Sequence, residues 1–358
     1  MQRYIKIILF FIVFIVIIVG CSFLVFYQKK EIRYLDTIDA TTVVDDVIYA
    51  VGRNNDNDKE LTKAKFSIYN SKQEKIYEKL YNTGYTSRFY DLLVDDEDVV
   101  IVGEYEKTKK DYKNNNSIAV ILKYDEEGQL LFEKEVSDTN FYDVLACDDG
   151  YLAIGTSHDK NKTKGVLVKF HTDGTLDWKK EYGTENTEFT AGVFYHNKIY
   201  VTGIENQSGV LVSFSRDGKL IDSIHEETDS LGFSSITVVA DSLVLSGGKK
   251  VTEDFSQPLL VKYDLDLSID SAIYDSKYSG RFLKVITDNN DDLVVLASTV
   301  EGKKNKDVHH AYIGKYREDL TEASVVPYYN EEDDYFTDVS LMHDTYLVSG
   351  YSFQNKDI

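Results

Sequence analysis

Residues 169–203, KFHTDGTLDWKKEYGTENTEFTAGVFYHNKIYVTG, carry most of one repeat of a pattern that runs along the chain. Lys169-Phe170 ends an alternating strand, and Thr172-Asp173-Gly174 is a turn of the Asp-Gly type. Leu176 to Tyr182 alternates again, which is the period of a half-buried strand. Phe189 opens a third apolar stretch, His196-Asn197 breaks it, and Ile199-Tyr200-Val201-Thr202 leads into Gly203. The period is two throughout, so the segment reads as strand, turn, strand, strand, turn, strand.

The last part of that pattern returns seven times, ending at Gly52, Gly103, Gly155, Gly203, Gly247, Ala297 and Gly350. The copies are spaced by about 50 residues, a period that belongs to propellers and solenoids. An aromatic stands 14 residues before the glycine at Phe89, Phe141, Phe189, Phe233 and Phe336, and Ile38 takes that place in the first copy. Phe282 stands one residue further off, a difference that the longer turn Asp288-Asn289-Asn290-Asp291-Asp292 absorbs. A fixed distance between a large apolar residue and a glycine, bridged by a polar turn, describes a hairpin whose register is pinned by its loop.

A second hairpin follows in six copies, clearest around Tyr124 to Gly128, Phe170 to Gly174 and Phe214 to Gly218, and weaker around Tyr69, Tyr263 and Tyr316. Each repeat then supplies four short antiparallel strands, and their radial repetition makes a β-propeller. The sequence thus predicts an all-β, seven-bladed propeller over residues 31–358, about 50 residues per four-stranded blade. Its last blade would be closed by the N-terminal segment Glu31 to Thr37, since a closed ring has no free edge. The run from Lys169 to Gly203 resembles the repeats of secreted or membrane-anchored bacterial β-propeller proteins related to the WD40-like and quinoprotein-like superfamilies. That resemblance implies a fold and no single activity, because such positions are hairpin and core residues. Asp177-Trp178 occurs in one repeat only, so a true WD40 protein is not implied.

The first 30 residues differ in kind. Ile7 to Tyr27 carries no charge, and a helix of that length reaches roughly 31 Å, enough to cross the hydrocarbon of a bilayer. The sequence therefore predicts one N-terminal transmembrane helix within residues 1–30, acting as a signal anchor and attaching the chain to the membrane. Ile18-Val19-Gly20-Cys21 is similar to a bacterial lipobox, which makes Cys21 a possible lipidation site. Phe23 to Tyr27 continues the apolar run where a lipoprotein turns polar, so the uncleaved anchor is favoured and the alternative stays open. A short basic start before an apolar stretch places the propeller outside the cytoplasm, at the cell surface.

With 40 Lys and Arg against 61 Asp and Glu, the chain carries a net charge of −21. Such a surface repels nucleic acid, so no nucleic-acid partner is expected. Two cysteines exclude a disulfide framework, and Cys147 lies in an apolar strand pattern as a core residue. The connectors after each glycine are long, unequal and rich in lysine. Lys107, Lys109, Lys110, Lys160, Lys162, Lys303 and Lys304 mark them as the candidate binding face, since specificity on a rigid scaffold resides in such connectors. The expected partner is a protein or a glycan.

Signals for chemistry are sparse. No two of the seven histidines have helical zinc spacing, and neither a GxSxG elbow nor a P-loop is present. The oxygen-rich runs Asn54 to Asp58 and Asp288 to Asp292 lack the glycine and distal glutamate of a calcium loop. No metal and no cofactor are expected. Asp46, Glu97, Asp149, Asn197, Asp241, Asp291 and Asp344 occupy equivalent turns, and Asp91, Asp143 and Asp338 each follow the aromatic by two residues. Equivalent placement points to structural work, such as bonding a neighbouring turn. The function expected is a binding module or assembly scaffold, with an enzyme acting in the central channel as the alternative.

Overall fold

The computed structural model describes residues 36–56, 61–160, 162–184, 186–226, 230–253, 255–275, 277, 279–303, 306–328 and 333–353. Six four-stranded antiparallel sheets follow one another along the chain. The first is β1 (Asp36–Val44), β2 (Val47–Asp56), β3 (Leu61–Tyr69) and β4 (Lys75–Tyr81). The second is β5 (Thr86–Asp95), β6 (Asp98–Glu106), β7 (Ile118–Tyr124) and β8 (Leu130–Ser137), with a short helix α1 (Lys109–Asn114) between β6 and β7. The third holds β9 (Thr139–Cys147), β10 (Gly150–Asp159), β11 (Lys162–His171) and β12 (Leu176–Tyr182). The fourth is β13 (Thr187–Tyr195), β14 (Lys198–Glu205), β15 (Ser208–Ser215) and β16 (Leu220–His225). In the fifth stand β17 (Ser230–Val239), β18 (Ser242–Lys250), β19 (Ser256–Tyr263) and β20 (Ile269–Tyr274). β21 (Ser279–Thr287), β22 (Leu293–Lys303), β23 (Lys306–Tyr316) and β24 (Glu322–Tyr328) make the sixth.

The seventh repeat builds only β25 (Asp333–Met342) and β26 (Thr345–Phe353), a two-stranded sheet. The expectation of seven four-stranded blades is therefore corrected to a propeller of six. The seventh copy has the first-hairpin pattern and no second hairpin among the described residues, so it packs as a hairpin between the sixth sheet and the first. Residues 1–30, over which the transmembrane helix is expected, lie outside the described residues; among the described residues no helix is long and apolar enough to cross a membrane. Residues 7–27, Cys21 and residues 31–35 lie outside the described residues, and Asp36 and Thr37 begin β1, which pairs with β2.

The first strand of each sheet lines the axis. β1 touches β5, β5 touches β9, and the series continues through β13, β17, β21 and β25 back to β1. The spacing between aromatic and glycine now has a cause. In every first strand the ladder slips between the aromatic, or Ile38 in β1, and the residue two later, so one bulged residue stands opposite no partner. The bulge drives the carbonyl before the aromatic onto the glycine: a Cβ on Gly203 would lie 1.9 Å from the Glu188 carbonyl oxygen. Phe282 pairs with Ala297 directly, as the longer turn at residues 288–292 requires.

Turn chemistry fixes the rest. Asp45-Asp46, His196-Asn197 and Ala240-Asp241 hold positive φ at both central positions, the geometry of type I′ hairpins that asparagine and aspartate tolerate best. The core consists of apolar clusters between neighbouring sheets, from the first pair to the joint between the sixth sheet and the β25–β26 hairpin. Phe141, Phe189 and Phe282 are fully buried there, each worth about 2–3 kcal/mol of transfer free energy.

Candidate functional site at the channel mouth

Because strands alternate in direction, the connections from second to third strand and from one blade to the next emerge at one end of the ring. At that end the bulge of each first strand re-aims a side chain, as bulges beside functional sites do. The bulged residues are Asp39, Tyr90, Tyr142, Thr190, Ser234, Leu283 and Thr337. They form the inner rim of the mouth.

The polar side of this rim spans the first four blades. Arg88 forks onto Asp39, with Nε 3.1 Å from Oδ2 and Nη2 2.5 Å from Oδ1, and its guanidinium lies 4.4 Å from the Tyr90 ring centroid. Burial alone would lower the Arg88 pKa, but the Asp39 fork outweighs it and raises it. The Tyr90 hydroxyl donates to Glu104 Oε1, and its ring meets Tyr142 edge-on at 5.1 Å. Glu104 is buried, its Oε2 has no partner, and burial pushes its carboxyl up to about 7. Burial, followed by the charges of Glu104 and Glu188, raises the Tyr142 phenol. Asn140 Oδ1 lies 2.6 Å from both Ser117 Oγ and His158 Nε2, tying the β6–β7 connection and the β10–β11 hairpin to the rim. Burial lowers the His158 imidazole.

On the far side Arg281 donates from Nη2 to Ser234 Oγ, while its Nε is buried without a partner. The mouth thus offers a guanidinium held by a carboxylate, a second guanidinium held by a hydroxyl, and a carboxyl that exchanges its proton near neutrality. Such a rim can bind a polar ligand through charge-assisted hydrogen bonds.

Deeper in the channel, Asp91, Asp143, Lys284 and Asp338 occupy one repeat position, two residues after the aromatic. Asp91 Oδ2 accepts from Val144 N at 3.0 Å, Asp143 Oδ2 from Gly192 N at 2.7 Å, and Asp338 Oδ2 from Thr41 N at 2.8 Å and Thr41 Oγ1 at 3.0 Å. Each aspartate serves the free inner edge of the next sheet's first strand, the structural work that equivalent placement implied. Burial, with the Asp143 charge beside it, raises the Asp91 carboxyl well above the usual range. Lys284 lies 3.4 Å from Asp338, and that carboxylate raises its pKa. Its side chain stays 36% exposed because it faces channel solvent.

The predicted lysines lie in the second-to-third-strand connections or on the strand ends that flank them. Lys107, Lys109 and Lys110 are exposed at the β6 end and on α1; Lys160 and Lys162 are exposed at the tip of the β10–β11 hairpin. Lys303 ends β22, and Lys304 lies outside the described residues. Among described residues, Asp149, His171 and Asp177 approach one another as metal ligands would. Lys169 already fills that space, 2.7 Å from Asp149 and 3.4 Å from Asp177. Asp288 is equally engaged: Oδ1 accepts from Asn290 N and Asp292 N, and Oδ2 from Lys315 Nζ at 2.7 Å and Tyr346 OH at 2.8 Å. It borders a cavity of about 240 Å³ with Lys315, His343 and Tyr346. Cys147 is half-buried, and burial pushes its thiol up to about 11.

Sequence reading did not find Arg88, Glu104 or Arg281. The signal was available in the repeats: the residue before the aromatic is Thr37, Arg88, Asn140, Glu188, Gly232, Arg281 or Tyr335. A varying residue at a fixed position of a regular scaffold marks a departure from structural duty.

No protein-family model matches the sequence, and no curated protein matches it. Solved structures do. The acylaminoacyl peptidase of Pyrococcus horikoshii is similar at a TM-score of 0.51 and 10% identity, over 86% of this chain and 48% of that one. A subtype N10 neuraminidase-like protein of A/little yellow-shouldered bat is similar at 0.50 and 9%, over 76% and 92%. The β-propeller domain of the Trilobed protease from Pyrococcus furiosus aligns at 0.49 and 11%, over 88% and 89%. At these identities the likeness bears on the fold alone. The chain spans about half the length of the peptidase.

Proposed function

We propose that the protein is a binding scaffold that engages a negatively charged protein or glycan through the end of the ring where the second-to-third-strand hairpins project. The observation that carries this reading is the exposure of Lys107, Lys109, Lys110, Lys160 and Lys162 on that end, in a chain of net charge −21. Paired strands hold Lys162, and α1 holds Lys109 and Lys110. The cations are therefore presented on ordered elements, which lowers the entropic cost of engaging a partner. The apolar run of residues 7–27 supports a place outside the cytoplasm; digestion of a C-terminal tag by protease added to intact cells checks that placement.

The binding reading is tested on two immobilised polyanions, heparin and polyglutamate. The chain should be retained by one of them, heparin indicating a glycan partner and polyglutamate a protein. Changing the five lysines to glutamine should move elution to lower salt, because exposed ion pairs are screened. Unchanged elution, or no retention on either matrix, overturns the assignment of this face.

A further inference from the structure

Six of the seven repeats show what covers a second strand. The third strand runs antiparallel to it and closes with an aromatic, Tyr69, Tyr124, Phe170, Phe214, Tyr263 or Tyr316. Directly opposite stands the residue four before the terminal glycine or alanine. That residue, Ile48, Val99, Tyr151, Ile199, Leu243 or Leu293, is buried in every case. A lysine precedes the aromatic in four of the six. Lys123 and Lys169 each meet an acid of their own blade's first turn, Asp98 and Asp149, at 2.7 Å.

The seventh repeat presents the receiving half of this arrangement. Among the described residues β26 pairs with β25 alone. Tyr346 and Val348, four and two residues before Gly350, are half-buried where their counterparts in the other blades are buried. Asp344 holds the place of Asp149, is exposed, and makes no ion pair among the described residues. Tyr346 and Lys315 line the cavity of about 240 Å³. A pocket for a drug-sized molecule takes about 300–1,000 Å³, so this one suits a single side chain. A strand edge offers a row of backbone groups for pairing with another chain. The chain enters β1 at Asp36 from the mouth end, which is the polarity of a fourth strand and the reverse of a third. β26 lies two strand places, roughly 10 Å, inside the outer edges of the sheets beside it, so the equally recessed β26 of a second copy does not reach it.

We infer that β26 is a docking edge for an extended segment of a partner protein, which adds to it as an antiparallel third strand. The segment carries a short apolar run that ends in a basic residue followed by an aromatic. The aromatic stands opposite Tyr346 and enters the cavity beside Lys315, and the basic residue pairs with Asp344. This edge is separate from the lysine-bearing hairpins and stands whether or not those bind a polyanion.

The test uses the full chain and the fluorescence anisotropy of a labelled peptide with the sequence of residues 163–171, TKGVLVKFH, which has this pattern. The peptide should bind, and a scrambled peptide of the same composition should not. Phe170→Ala within the peptide should weaken binding by about tenfold or more, the worth of one buried ring. Lys169→Glu within the peptide should weaken it by about twofold to fivefold, as an exposed ion pair allows, and Asp344→Lys in the protein should reverse that preference. The inference is overturned if the peptide does not bind, in which case the chain covers this edge itself. It is equally overturned if the scrambled or Phe170→Ala peptide binds as well as the parent peptide, or if Asp344→Lys leaves the preference for lysine over glutamate unchanged.

Discussion

Glu104 holds a carboxyl where water does not reach one of its oxygens, and its environment decides how stability answers to pH. Its side chain accepts from the Tyr90 hydroxyl, yet burial wins and lifts its pKa from 4.5 to about 7. Between those values the unfolded chain has released this proton while the folded chain keeps it. Stability from this group is therefore fully present below pH 4.5 and is lost as pH rises through about 7. Glu104→Gln keeps an oxygen for Tyr90 and removes the ionisation. Relative to the parent, urea unfolding of the variant should show no gain near pH 4 and about 3 kcal/mol of gain at pH 8. Comparing the two proteins at each pH cancels the many other carboxylates. A constant difference across that range would mean that Glu104 titrates in the folded chain as it does in the unfolded one.

Each complete blade ends its third strand in the same device: the ladder slips at the last aromatic, and a residue in the left-handed region closes the turn. Gly128, Gly174 and Gly218 supply it at φ of 77°, 79° and 73°, whereas Gln73, Leu267 and Leu320 adopt φ of 60°, 63° and 65° without being glycine. These substitutions explain why the hairpins at Tyr69, Tyr263 and Tyr316 were faint in the sequence while their structure is the same. Gln73→Gly should stabilise the protein by about 1 kcal/mol, since a Cβ in this region costs that much. Leu267 is buried in the cluster around Phe233 and Tyr263, so Leu267→Gly should instead destabilise by about 2 kcal/mol after the same relief is subtracted. Opposite signs in the two denaturant midpoints are the expected outcome; equal signs would remove the strain argument. Strands, turns and register were legible because each repeats a period-two pattern with fixed punctuation. The rim was not, because Arg88 and Arg281 meet partners in the preceding blade, about 50 residues away, and Glu104 meets Tyr90 across its own hairpin, where the bulge aims that ring. The lysines were legible as connector residues, and Lys162 and Lys303 extend the strands that flank those connectors.

The joints of the ring are unequal. Apolar clusters fill the spaces between successive sheets up to the β25–β26 hairpin, where Val294, Leu296, Ile313 and Val339 meet. Between that hairpin and the first sheet no such cluster is found among the described residues, and the joint is made of hydrogen bonds. Asp338 accepts from Thr41, Thr337 Oγ1 donates to the Ile38 carbonyl, and Ser340 Oγ donates to the Thr41 carbonyl at 2.7 Å. Polar contacts contribute about 1 kcal/mol each, less than a buried phenylalanine, so closure is the step most easily undone. Asp338→Ala strips Thr41 of its acceptor and leaves Lys284 without its nearest anion. The cost should be about 2 kcal/mol, below that of breaking a fully buried pair because Lys284 keeps contact with channel water. Asp143→Ala removes an equivalent staple at Gly192, but it also relieves Asp91 of a like charge, and an apolar cluster still backs that joint. Limited proteolysis should therefore release the segment from Asp333 to Phe353 in Asp338→Ala at times when Asp143→Ala and the parent remain whole. Equal resistance in both variants would show that the hairpin is retained by its contact with the sixth sheet alone, and that the polar joint contributes nothing to closing the ring.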